Sequence, residues 1–297
     1  MKGLSDATGV SLDKIERIHI LGELWRVSCT IIGVWDEAIS KKQGLLQLRA
    51  LDWDLDAPYR KYPQITVIHR PDGISFMNVG FSGFVGLITG VNDKQIGISE
   101  MGPWYVDHDV FVGENPDGLP FTWMMREVLE DYDNGADIVD YMKNINRTVS
   151  LLFGIGDGKK SDFDHFKGVS YSSDRIEFYS DENMEATLQV NETEPMRHDR
   201  IKDAVYYSRD WFCPTFNGQV MDRINANWGN ITAEILIRDI TARTNTGDMH
   251  SAVYDFNDDA VYLSFAKKTD DLRGPIEAYK RGYTKIDLSL LFQTKQV

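Results

Sequence analysis

Cys29 opens the run Cys29-Thr30-Ile31-Ile32-Gly33-Val34 directly after an amphipathic stretch, and Arg49-Ala50-Leu51-Asp52-Trp53 follows it. A thiol at a strand start, with a guanidinium and a carboxylate three residues apart on the next strand, is a nucleophile with electrostatic support. A cation near sulfur lowers the thiol pKa, and a carboxylate orients an ammonium group. Each residue also has a plainer reading. A lone cysteine in an apolar strand packs as a small buried hydrophobe, and Arg49 with Asp52 would make an ordinary surface ion pair worth little.

The elements around these residues follow from periodicity. Ser11 caps an expected helix whose apolar positions Leu12, Ile15, Ile18, Leu21, Leu24 and Trp25 recur every three or four residues. From Cys29 the pattern becomes β, with Cys29 to Trp35 and Leu45 to Leu51 joined as a hairpin through the polar stretch 36–44. Further strands are expected at 65–69, 74–79, 84–89, 95–99, 149–155, 175–179 and 186–190, and the pair 250–256 and 260–266 closes the chain. Helices are expected at 121–132, at 136–145 after the breaker Asn134-Gly135, and from Ala233 to about Ala242 behind a Thr232 cap. This order fits an α+β fold of two packed antiparallel sheets covered by helices.

Four stretches resemble the acid ceramidase and N-acylethanolamine amidase family of N-terminal-nucleophile (Ntn) cysteine hydrolases, relatives of the bile-salt (choloylglycine) hydrolases and isopenicillin N acyltransferases. They are the lead-in from Gly9-Val10-Ser11-Leu12 through Gly22-Glu23-Leu24, the Cys29-Thr30 start, the segment Arg49 to Trp53, and Gly83-Phe84-Val85-Gly86-Leu87-Ile88-Thr89-Gly90 with Gly97-Ile98-Ser99-Glu100. The resemblance covers the first hundred residues well and the remainder mainly in element order. It implies a four-layer αββα sandwich and a chain that cuts itself between Ser28 and Cys29. It also implies a lead-in, residues 1–28, that is removed or retained noncovalently, and a catalytic domain at 29–297. The new α-amino group, with a reference pKa of about 8, would serve as base for the thiol on the same residue. No catalytic histidine is then needed, which suits six histidines, at 19, 69, 108, 165, 198 and 250, without triad or ligand spacing.

The resemblance gives Arg49 the thiolate and substrate, Asp52 the new ammonium group, and Glu100 a place lining the site, although a solvated strand-end carboxylate is the plain alternative for Glu100. An oxyanion donor, worth on the order of 3 kcal/mol, has no clean counterpart. Asn217 is the leading candidate and Arg223 the second, with a simple loop asparagine as the alternative. Met77, Phe81, Phe84, Met101, Trp104 and Phe111 are candidates for an acyl-chain pocket, or else for core.

Composition limits the rest. With 297 residues, 42% hydrophobic, the chain suits one large domain, and a net charge of −14 opposes attraction to nucleic acid or anionic membrane. No apolar run reaches membrane-spanning length, so stable insertion is not expected. Cys29 and Cys213 are the two cysteines, and pairing them would consume the nucleophile. Gly154, Gly156 and Gly158 match neither nucleotide-loop spacing, and the stretch Asp131 to Gly135 has Met142 where a calcium loop needs glutamate, so neither cofactor nor metal is expected. Sequons at Asn146, Asn191 and Asn230 favour a secretory or lysosomal route if a signal peptide has been trimmed, whereas the start Met1-Lys2-Gly3 lacks an apolar signal region and reads as cytoplasmic otherwise. The expected activity is hydrolysis of a linear, fatty-acyl amide through a thioester. The alternatives are acyl transfer to an amine and noncatalytic binding of an acyl lipid by the same fold.

Overall fold

A computed structural model describes residues 1–24, 28–71, 73–102, 114–159, 163–184, 199–208, 214–267 and 274–293. Its helices are α1 (Lys2–Thr8), α2 (Leu12–His19), α3 (Leu21–Leu24), α4 (Phe121–Asp131), α5 (Gly135–Asn144), α6 (Pro214–Asn227), α7 (Ala233–Ile235) and α8 (Leu288–Gln293). Its strands are β1 (Ser28–Trp35), β2 (Leu45–Asp52), β3 (Pro63–Ile68), β4 (Phe76–Phe81), β5 (Thr89–Asn92), β6 (Ile96–Met101), β7 (Leu151–Asp157), β8 (Phe166–Tyr171), β9 (Ile176–Tyr179), β10 (Ala204–Tyr207), β11 (His250–Asp255), β12 (Ala260–Phe265) and β13 (Thr284–Asp287). The first sheet runs β10-β1-β2-β11-β12-β13 and the second β3-β4-β5-β6-β7-β8-β9, with antiparallel neighbours throughout. The expected sandwich of two antiparallel sheets between helices is therefore the fold observed.

Three apolar layers hold it together. Cys29, Ile31, Leu51, Met77, Val91, Phe166, Ala252 and Tyr254 meet between the sheets. Ile32, Val34, Leu46 and Leu48 face the other way, onto Val220 and Ile224 of α6 and Leu236 and Ile240 beyond α7. Phe76, Ile96 and Ile98 of the second sheet pack on Met124, Val128, Leu129, Ile138 and Met142 of α4 and α5. Strand β2 is buried along its whole length because both of its faces are covered. The sheets approach closely around the Phe166 ring, where a methyl group on Gly33 would lie 2.2 Å from Cγ, so only glycine fits there.

Local chemistry explains several boundaries. Asn134 is the cap of α5 rather than a simple breaker, its side chain accepting from the Asp137 amide at 2.9 Å. Thr232 accepts from the Ile235 amide as expected, but the helix widens into a π turn over Leu236–Thr241. The strand expected at 84–89 does not form before Thr89. Its backbone is taken by side chains instead: Val85 N–H donates to His19 Nε2 at 2.8 Å, Arg126 Nη1 donates to the Val85 carbonyl at 2.7 Å, and Asn78 Nδ2 donates to the Gly86 carbonyl at 2.8 Å. The strand expected at 186–190 and Asn191 lie outside the described residues, as does Cys213; Asn146 and Asn230 are exposed. No helix of the described residues is long and apolar enough to cross a membrane.

The lead-in is docked by its own residues. Buried His19 lies between Phe84 and Trp123, with centroids 4.9 and 6.0 Å away, and its Nδ1 donates to the Ile15 carbonyl at 2.6 Å, which leaves Nε2 as acceptor for Val85. The ring is thus neutral, and burial lowers its pKa below 6.5, with the Ile15 carbonyl opposing and the Met1 α-amino group adding to the shift. Because the docked pKa lies below the free value, this contribution is complete above pH 6.5 and is lost as pH falls through the docked value. Glu23, which accepts from the Phe121 amide at 2.7 Å, is shifted upward by burial and acts in the opposite sense. In the uncleaved Cys29→Ala chain, His19→Gln, which keeps an acceptor at every pH, should flatten the fall in melting temperature between pH 7.5 and 5.5. Identical slopes would mean that His19 does not govern docking.

Candidate active site

Strand register builds the site. Ser28 stands opposite Asp52, Cys29 opposite Leu51 and Ile31 opposite Arg49. Directly opposed residues share a face, so Cys29, Arg49 and Leu51 look inward between the sheets while Asp52 looks outward beside the Ser28–Cys29 bond. Cys29 and Arg49 are 0% exposed, Glu100 3% and Asp52 4%, which removes the surface ion-pair reading of Arg49 and Asp52. It also removes the solvated strand-end reading of Glu100.

Arg49 instead crosses the sandwich, its Nη2 paired with Glu100 Oε1. Burial pushes the Glu100 carboxyl above the ordinary carboxylate range against the pull of that guanidinium. Burial likewise pushes the Cys29 thiol far up, with Arg49 opposing and Glu100 and Asp52 adding to the rise. In the intact chain the sulfur is therefore a protonated thiol. Arg49 Nε and Nη1 are buried without a hydrogen-bond partner, so two donor nitrogens remain for a thiolate or a carbonyl oxygen.

Asp52 is fixed by a distant loop. Its carboxylate accepts from Thr246 Oγ1 at 2.6 Å, from the Gly247 amide at 2.7 Å and from the Asp248 amide at 3.1 Å, and the Thr246 hydroxyl also lies 2.8 Å from that of Thr30. Gly247 has φ +89°, a conformation open to glycine and strained for other residues. That turn points successive amides at one carboxylate oxygen at the end of β2, the point where an amino group on Cys29 would emerge.

Beside Leu51 lies an apolar cavity of about 60 Å³, lined by Trp53, Tyr59, Phe81, Phe84, Ile88 and Met249 together with Ile18, Leu21 and Gly22 of the lead-in. It holds a few waters at most. Of the pocket candidates, Phe81 and Phe84 line it, Met77 and Met101 are core instead, and Trp104 and Phe111 lie outside the described residues.

The two oxyanion candidates fare differently from the rest. Asn217 falls within α6 rather than in a loop, and its side chain lies outside the described residues. Arg223, on the same helix, donates through Nη1 to the Asp239 carbonyl at 3.3 Å in the layer outside the first sheet. It is not brought to the inward-facing thiol. The structure adds inward residues that motif reading missed: Gln47, which donates to Ser99 Oγ at 2.9 Å, Tyr254 opposite Gln47, and His250 opposite Leu51, with Nε2 3.0 Å from Thr89 Oγ1. Polar Gln47 alternating with Arg49 between the leucines of β2 was the available signal.

No protein-family model matches the chain. Among curated proteins it is 30% identical over 302 residues to protein dcd1B and 28% identical over 308 residues to protein dcd1A, both of Dictyostelium discoideum. Each match covers 98% of this chain, which spans 57% and 66% of those proteins. Among solved structures, a Caenorhabditis elegans N-acylethanolamine-hydrolyzing acid amidase ortholog superposes with a TM-score of 0.54 at 15% identity, covering 76% of this chain and 92% of that one. A single-residue variant of conjugated bile acid hydrolase from Clostridium perfringens gives a TM-score of 0.54 at 13% identity, covering 90% of this chain and 95% of that one. With two packed antiparallel sheets clasped between helices, the chain has the αββα fold of these hydrolases.

Proposed function

We propose that the chain is a self-processing cysteine amide hydrolase that acts on linear acyl amides, with residues 1–28 as its lead-in and 29–297 as its catalytic domain. The observation that carries this reading is the register that sets Cys29 between inward Arg49 and the Asp52 carboxylate beside the Ser28–Cys29 bond. Cleavage there converts a buried amide nitrogen into an amino group next to Asp52, and that amine takes the thiol proton. The sulfur then attacks the substrate carbonyl, the unpartnered Arg49 N–H groups favour the negative charge, and the amine leaves with the proton. Water completes the cycle by splitting the thioester.

The apolar lining of the cavity supports an acyl chain as the buried part of the substrate, once Ile18 and Leu21 withdraw. Burial contributes about 0.8 kcal/mol per methylene, so four added methylenes should raise kcat/KM by roughly two orders of magnitude. A series of N-acyl amides with one head group, assayed on processed enzyme below each critical micelle concentration, measures this. A flat profile, or a preference for acetyl, would remove the fatty-acyl assignment.

A further inference from the structure

The cleft where the β3 edge meets the end of the β12–β13 hairpin is cationic in an acidic protein. It has a volume of about 670 Å³ and is lined by Arg60, Lys61, Lys267 and Arg281, with Pro63, residues 263–266, Gly282 and Thr284 completing its walls. Among the described residues no carboxylate lines it, although the chain carries 46 acidic and 32 basic residues. None of the four cations forms an ion pair among the described residues, whereas Arg70, Lys202 and Lys280 elsewhere each do.

One of the cations is held by a hydrogen bond and a second is partly buried. Arg281 Nη1 donates to the Phe265 carbonyl, which sets its guanidinium against β12. Arg60, on the 3-10 turn Pro58–Lys61, has Nε and Nη1 buried with no hydrogen-bond partner. A guanidinium carries five N–H donors, and a ligand bringing several acceptor oxygens pairs those that face the cleft. Lys61 and Lys267 stand exposed at the rim, where they attract an anion over a distance set by salt screening.

We propose that this cleft binds a phosphate group. Two guanidinium forks match tetrahedral oxygens in pairs, and four positive charges suit a group carrying close to two negative ones better than a single carboxylate. The shared chemistry admits two sources, free phosphate or a phosphorylated lipid head group. Tyr59, adjacent in sequence to Arg60, lines the apolar cavity, so a tail attached to the phosphate would have a neighbouring apolar wall. This site stands apart from the amide chemistry and does not depend on it.

The test measures binding of the full chain to inorganic phosphate by titration calorimetry, and to phosphatidylcholine vesicles with and without phosphatidic acid by sedimentation, both at about 0.15 M ionic strength. The wild-type protein should bind at least one probe. Arg60→Gln should weaken that binding at least tenfold, as should the double variant Lys61→Gln with Lys267→Gln, whose exposed side chains leave the fold undisturbed. Lys14→Gln with Lys143→Gln, exposed lysines elsewhere, should bind as wild type. Binding of inorganic phosphate identifies the free anion as sufficient, and retention by phosphatidic acid vesicles alone identifies the head group. No binding of either probe, or equal binding by the cleft variants and the wild type, would overturn the proposal.

Discussion

Purified wild-type protein will yield two fragments, the second beginning at Cys29, whereas Cys29→Ala will remain one chain of full mass. Intact mass measurement with N-terminal sequencing reads this directly. Turnover of acyl amides should fall by about 10⁴-fold or more in the variant, the scale seen when a nucleophile is removed from a site that keeps its other groups. The substitution removes a buried sulfur from the core between the sheets, so an unchanged circular dichroism spectrum will separate lost chemistry from lost fold. Wild-type protein that stays intact at every pH tested, acidic pH included, would sink the self-processing reading.

Glu100→Ala should lower unfolding stability by about 3–5 kcal/mol, because it leaves the Arg49 guanidinium buried and uncompensated. Combining Arg49→Met with Glu100→Leu should restore most of that loss, since replacing both members of a buried pair by apolar side chains of similar size is often neutral. Activity should not return with stability. At least a tenfold deficit in kcat/KM, about 1.4 kcal/mol of barrier, is expected in the double variant, which lacks the Arg49 donors. Chemical denaturation and steady-state kinetics on the same preparations test both halves. A double variant as unstable as Glu100→Ala would show that the pair is held by more than its own charge balance, and full activity would remove Arg49 from the chemistry.

Much of this architecture was legible because neighbouring residues dictate it. Leu45 to Leu51 reads as a strand from its β-rich run, and Phe121 to Tyr132 as a helix from its spacing, and both form close to where expected. The failures have identifiable causes. Residues 84–88 carry strand-like composition, yet His19, Asn78 and Arg126 claim their backbone groups from elsewhere in the chain. Strands β8 and β10 are interrupted in composition by Lys167 and Gly168 or too short to show a period, and α6 begins at Pro214, a residue that carries no helical periodicity of its own. The site divides the same way. Cys29, Arg49 and Asp52 were visible as a motif, but Arg49 reaches Glu100 on the other sheet across 51 positions and Asp52 reaches Gly247, in the turn before the neighbouring strand β11, across 195, and no local pattern encodes contacts between segments so far apart in the chain.

Ile18, Leu21 and Gly22 form part of the cavity wall while lying on the far side of the proposed cut from everything else that lines it. As long as the backbone is continuous, that wall is tethered, and its effective concentration at the cavity is set by a short connection, on the order of millimolar. Cutting the Ser28–Cys29 bond leaves every contact of the wall in place and changes only this number, which drops to the concentration of free fragment in solution. Occupancy of the cavity by its own lead-in then becomes a matter of dilution, so a processed sample should gain activity as it is diluted and lose it when the 1–28 peptide is added back.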